Sequence, residues 1–156
     1  MVFQANDSLG SELDSIPQSQ PAEQAVLGAI LKENECYHLV SGIIKTKHFY
    51  NPIHARIYET CARLIEFGKL ADAIILKNRF AEDPTLVDIG SDEYLANILY
   101  NAPPMASVVE YAKLIHDMAM RRELITLSEQ IKSEACLLYT SPSPRDLSTC
   151  RMPSSA

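Results

Sequence analysis

The two prolines of "NAPPMAS", residues 101–107, are followed by a long stretch free of glycine and proline. Within it Val108, Tyr111, Ala112, Ile115, Met118 and Ala119 recur at three- and four-residue spacing, which is one face of an α-helix. Ser107, with Glu110 three residues on, has the pattern of a capping box, so a helix is expected from Ser107 to about Glu134. Leu124, Leu127 and Ile131 continue the stripe with a shift, and Arg121 and Arg122 sit at that shift. About 28 helical residues extend for ~42 Å, more than a small preceding globule can cover. The outer half of the helix therefore calls for a partner, either another helix or another chain.

The rest of the chain punctuates into shorter helices. Residues 1–16 are polar and carry Asp7, Glu12 and Asp14, and a flexible leader is expected there. Pro21 suits the first position of a helix, and Glu23 falls in its first turn, where the helix dipole favours an anion. Ala22, Ala25, Val26, Ala29 and Ile30 supply the apolar face. Gly28 lies inside this helix at a cost of about 1 kcal/mol against alanine, which suggests a close helix–helix approach. A second short helix is expected over 35–44. Asn51 as a cap and Pro52 as the first helical residue open a third, over 52–67, which Gly68 ends. Helices over 72–82 and 92–101 follow, with "EDPTLVDIGS" between them as a turn or short extended piece. No strand signal is strong enough to build a sheet, so the fold class is all-α.

Little in the sequence points to catalysis. The net charge is −6, which argues against a surface dominated by phosphate contacts. Neither GxxxxGK[ST] nor GxGxxG is present among the five glycines. The four cysteines include no CxxC pair, and no histidine stands at ligand spacing from them. Cys36 and Cys61 read as buried thiols in a reducing compartment. His48 and His54 read as a loop histidine and a helix-face histidine. Asp92-Glu93 and Glu82-Asp83 read as solvated helix ends, and Arg121-Arg122 as a solvated face. "MVFQANDSLG" has no basic start followed by an apolar run, so no signal peptide is expected, and no apolar run is long enough to cross a membrane. The residues describe an interaction module.

"PQSQPAEQAVLGAIL" is more specific. Ala22, Glu23, Gln24, Ala25, Val26, Leu27 and Gly28 resemble the opening helix of the N-terminal domain of bacterial replicative DNA helicases, the DnaB family. "KHFYNPIHARIYET" is similar to the family's next segment through Phe49, Tyr50, His54, Ile57 and Tyr58. "EYLANI" resembles its Tyr-Leu helix, and "YAKLIHDMAMRRELI" the start of its helical hairpin. Only Gly90 precedes the Tyr-Leu helix, where the family often has two glycines. The resemblance covers about residues 17–134.

It implies a compact multi-helix domain followed by one long helix, the first arm of a hairpin. Such a domain builds the collar of a hexameric ring and offers a docking surface for primase, with a helicase loader or initiator as a further partner. ATP and Mg, and most DNA contacts, belong to a separate RecA-like motor domain of the family, as do hydrolysis and unwinding. In this stretch no catalytic, cofactor or metal residue is expected. Interaction residues are placed on the hairpin arm at Tyr111, Ile115, Met118, Arg121, Arg122 and Leu124. The implied setting is the bacterial cytoplasm, at replication forks on the nucleoid, away from membranes. The alternative is a stand-alone helical adaptor of phage or plasmid type that binds a helicase ring.

The last residues read differently. "CLLYTSPSPRD" back-translates to a string resembling a transposase-based sequencing adapter, and "RMPSSA" resembles its continuation after a short index. The expected division is a leader over 1–16, a helical globule over 17–105, a long helix over 106–135 and a non-native tail without regular structure over 136–156.

Overall fold

The computed structural model describes residues 16–87 and 91–140, and the chain divides into two units, Met1–Met120 and Arg121–Ala156. The leader over 1–15, Gly90 and the tail from 141 onward lie outside the described residues. Among the described residues all regular structure is helical, as the sequence pattern predicted.

In the first unit the helices are α1 (Gln20–Lys32), α2 (Glu35–Val40), α3 (Pro52–Glu66), α4 (Ala73–Phe80), α5 (Pro84–Val87) and α6 (Ser91–Tyr100). A 3₁₀ turn over Thr46–His48 separates α2 from α3. α7 (Met105–Thr140) begins in this unit. α1 is the centre of the unit. From Ala22 to Leu31 it is buried on nearly every side, Gln24 being partly exposed. The sequence had shown only one apolar face, but small residues let α3 and α6 pack around the helix. At the crossing with α6, a Cβ on Gly28 would stand 2.3 Å from the Ile98 carbonyl oxygen. The glycine therefore permits the close approach that its position in the sequence suggested.

The core joins Val26, Leu27 and Ile30 of α1 to Ile57, Cys61 and Leu64 of α3, Leu76 of α4 and Ile98 of α6. Val108, Ala112 and Ile115 of α7 close it. Asn51 caps α3 by accepting from the Ile53 amide at 2.9 Å, with Pro52 following it. Gly68 ends α3 at φ +69°, and the Lys69 amide reaches back to the Leu64 carbonyl at 2.8 Å, the backbone closure of a Schellman turn. Asn34, between α1 and α2, clamps the following loop. Its amide donates to the Ala71 carbonyl at 2.8 Å and accepts from the Ala71 amide at 2.9 Å.

Several boundaries differ from the sequence expectation, and α2 ends at Val40 rather than 44. α7 starts at Met105, directly after Pro104, and the Ser107 amide donates to the Pro104 carbonyl. Ser107 is thus the third helical residue, inside the first turn. At the other end α7 continues to Thr140, past the boundary placed at 135, so residues 136–140 are helical. "ACLLYT" contains no breaker before Pro142. In addition, the segment read as a turn or extended piece contains the short helix α5.

In the second unit, the described residues continue α7. Leu124, Ile125, Leu127, Ile131, Leu137 and Leu138 are all exposed there. Among the described residues no helix is long and apolar enough to cross a membrane.

Candidate functional site

The most distinctive chemistry in the first unit comes from three helix beginnings. Glu23 stands in the first turn of α1, His54 in the first turn of α3 and Tyr94 near the start of α6. Glu23 is 2% exposed and His54 is 0% exposed. His54 Nδ1 lies 2.6 Å from Glu23 Oε2, and His54 Nε2 lies 2.5 Å from the Tyr94 hydroxyl. The imidazole and phenol rings stack at a centroid distance of 6.1 Å. Glu23 Oε1 accepts from the Tyr50 amide at 2.6 Å, and Oε2 also accepts from the Asn51 amide at 3.4 Å.

One ordering of donors gives every group a partner. Gln24 Nε2 donates to the Tyr94 oxygen at 3.4 Å. The Tyr94 hydroxyl can then donate to His54 Nε2, while His54 Nδ1–H donates to Glu23. The carboxylate collects the imidazole proton and two backbone amides, so its burial does not leave it without partners. The arrangement leaves no open ring nitrogen and no carboxylate oxygen facing a groove, so it works as a fastener between α1, α3 and α6.

The sequence reading missed this cluster. It gave Glu23 a dipole role and read His54 as a helix-face histidine. The signal was nevertheless there: Glu23, His54 and Tyr94 each lie in one of the segments that carry the family resemblance.

The aromatic and thiol groups around α3 are held protonated by burial. Cys61 is pushed up to about 12, against an opposing backbone hydrogen bond. Tyr37 is pushed up to about 12 by burial, aided by its hydrogen bond to Glu66 at 2.8 Å and by the Glu66 charge. Burial also raises Tyr58, whose hydroxyl donates to the Ile44 carbonyl at 3.2 Å. Cys36 is raised by burial first and then by the charges of Glu33 and Glu35. Carboxylates read as helix-end groups do pair at the surface: Asp83 with Arg56 at 2.7 Å, and Asp92 with Lys77. No three His, Cys, Asp or Glu side chains among the described residues form a group that could hold a metal.

The six interaction candidates on α7 do not share one environment. In the first unit, Tyr111 is exposed and Met118 half-buried, while Ile115 is 2% exposed and belongs to the core. Ile115 therefore has no surface to offer a partner. In the second unit, Arg121 is exposed, Arg122 partly so, and Leu124 is 65% exposed.

A central helix pinned by a buried carboxylate–imidazole–phenol chain, in an all-α domain that leads into a long helix, defines a helical scaffold domain. The chain belongs to the DnaB family: residues 15–117 match the family described as "DnaB-like helicase N terminal domain". It is 35% identical over 120 residues to the replicative DNA helicase DnaB of Rickettsia felis, covering 77% of this chain and 24% of that protein. It is 29% identical over 119 residues to the replicative DNA helicase DnaB of Treponema pallidum, covering 76% of this chain and 27% of that protein. The crystal structure of the N-terminal domain of DnaB helicase from Mycobacterium tuberculosis superposes with a TM-score of 0.71 at 27% identity, covering 76% of this chain and 86% of that one. The chain spans about a quarter of the length of the curated relatives it matches.

Proposed function

We propose that this chain acts as the N-terminal collar of a hexameric replicative DNA helicase. Its work is ring assembly and the docking of primase and of a loader or initiator, in the cytoplasm at replication forks. ATP binding with magnesium, hydrolysis and strand unwinding then fall to a motor domain of the kind that makes up the remainder of its relatives. The observation that carries this reading is the family membership, joined to the exposed stripe of Leu124, Leu127 and Ile131 on α7. A stripe at helical spacing in water is a surface for another helix. Tyr111 and the Arg121-Arg122 pair remain the candidate primase contacts.

A chimera tests it. Residues 16–134 replace the matching region of the Rickettsia felis helicase. Native mass spectrometry is expected to show hexamers, and the chimera to unwind a forked duplex with ATP. A chimera that folds but stays monomeric sinks the proposal.

A further inference from the structure

A groove of about 430 Å³ opens where the end of α3 meets α4, lined by Arg63, Leu64, Phe67, Lys69 and Arg79. Its floor is the buried Leu64, and its wall is Phe67, which is 79% exposed. Arg63 is paired with Glu59 at 2.6 Å. Lys69 and Arg79 form no ion pair among the described residues. Three cations, one of them paired with Glu59, thus line the same groove as an exposed aromatic ring in a chain whose net charge is −6.

The ledge that carries Phe67 and Lys69 is rigid. The Phe67 amide donates to the Arg63 carbonyl, Gly68 to Ile65 and Lys69 to Leu64, with Gly68 at φ +69° locking the turn. The turn fixes where the backbone presents the Phe67 ring, so covering it orders the side chain and not the loop.

We propose that this groove binds an acidic peptide segment of a partner protein, in which one aromatic or long aliphatic residue is flanked by Asp or Glu. The apolar residue packs on Phe67 and Leu64. The flanking carboxylates pair with Lys69, Arg79 and the outer edge of Arg63, where guanidinium geometry suits a carboxylate. The groove volume falls in the range of sites that enclose a small ligand or a few peptide side chains. Charge decides between a peptide and a nucleic acid. Three cations release at most about three counterions, too few to hold a single strand at physiological salt. Strand-binding grooves also present successive stacking platforms, and here there is one.

The test is fluorescence anisotropy on the full chain. The tracer is a labelled peptide of about twelve residues with one central Phe flanked by Asp and Glu, compared with its Gln/Asn isostere and with labelled oligothymidine. The acidic peptide is expected to bind at least tenfold tighter than the isostere. The double substitution Lys69→Glu and Arg79→Glu is expected to remove that preference, and Phe67→Ala to weaken binding several-fold. All three side chains are exposed, so circular dichroism should show each variant folded, with only a small loss in melting from the charge reversal at Arg79 in the last turn of α4. Equal binding of peptide and isostere, tighter binding of oligothymidine, or indifference to these substitutions overturns the proposal.

Discussion

His54 and Glu23, thirty-one positions apart in the chain, meet at 2.6 Å with both side chains out of solvent. Removing His54 takes one of three hydrogen bonds from a buried carboxylate and leaves a cavity, which is far more damaging than removing an exposed side chain. His54→Ala is therefore expected to destabilise the domain by about 3–5 kcal/mol. Tyr94→Phe, which removes one half-buried hydroxyl, should cost about 1–3 kcal/mol. Urea unfolding followed by circular dichroism checks both, and an order reversed between the two would contradict the fastener.

Gly28 gives a second test. A methyl group there meets the Ile98 carbonyl oxygen at 2.3 Å and the Ala102 Cβ at 3.1 Å, so α1 and α6 have to move apart. Although alanine is the better helix former, Gly28→Ala is expected to lower stability by about 1–3 kcal/mol, the usual cost of overpacking. A variant more stable than the parent in thermal melts would show that the crossing is looser than described.

Alkaline stability follows from the protonated groups around α3. Cys61 moves from an ordinary value of 9.0 to about 12, and Tyr37 from 10.0 to about 12. Over this window the unfolded chain loses protons that the folded chain keeps, so stability falls as pH rises. Urea midpoints are expected to hold up to about pH 9 and then to decline progressively toward pH 12. In Cys61→Ala the decline should be shallower, although the midpoint at neutral pH will itself be lower through the cavity that the thiol leaves.

The α7 stripe separates folding from association. Leu124 and Ile131 are exposed in the second unit, so Leu124→Lys with Ile131→Lys is expected to change stability by no more than about 0.5 kcal/mol per site. In the hexameric chimera the same pair should shift native mass spectra toward smaller species. Loss of folding, rather than of assembly, would show that the stripe is covered within the chain.

Much of this fold is written in local signals. Asn51 before Pro52 and Gly68 after Phe67 each act within a few residues, through a side-chain cap and a left-handed turn, and the structure has both where the sequence put them. The long helix was visible because nothing interrupts it, though its start moved to Met105. The helix begins directly after Pro104, so Ser107 lies inside its first turn and not at its cap. Glu23 and His54 were misread for a physical reason. A polar side chain at the end of a helix is usually solvated, and what removes solvent here is the packing of α1 against α3 and α6, which no local pattern encodes. The mixed fate of the α7 candidates has the same origin. Ile115 and Leu124 belong to one stripe in the sequence, and only tertiary packing decides that the first is core and the second is surface.

The fastener also sets a schedule. Its members come from positions 23, 54 and 94, so a nascent chain leaving the ribosome carries Glu23 into solution long before Tyr94 is made. Until α6 emerges, α1 has neither its crossing partner at Ile98 nor its completed polar contacts, and closure waits on loops of 31 and 40 residues. The domain is thus expected to dock its central helix late in synthesis, with the segment before Tyr94 protease-sensitive while it is still tethered.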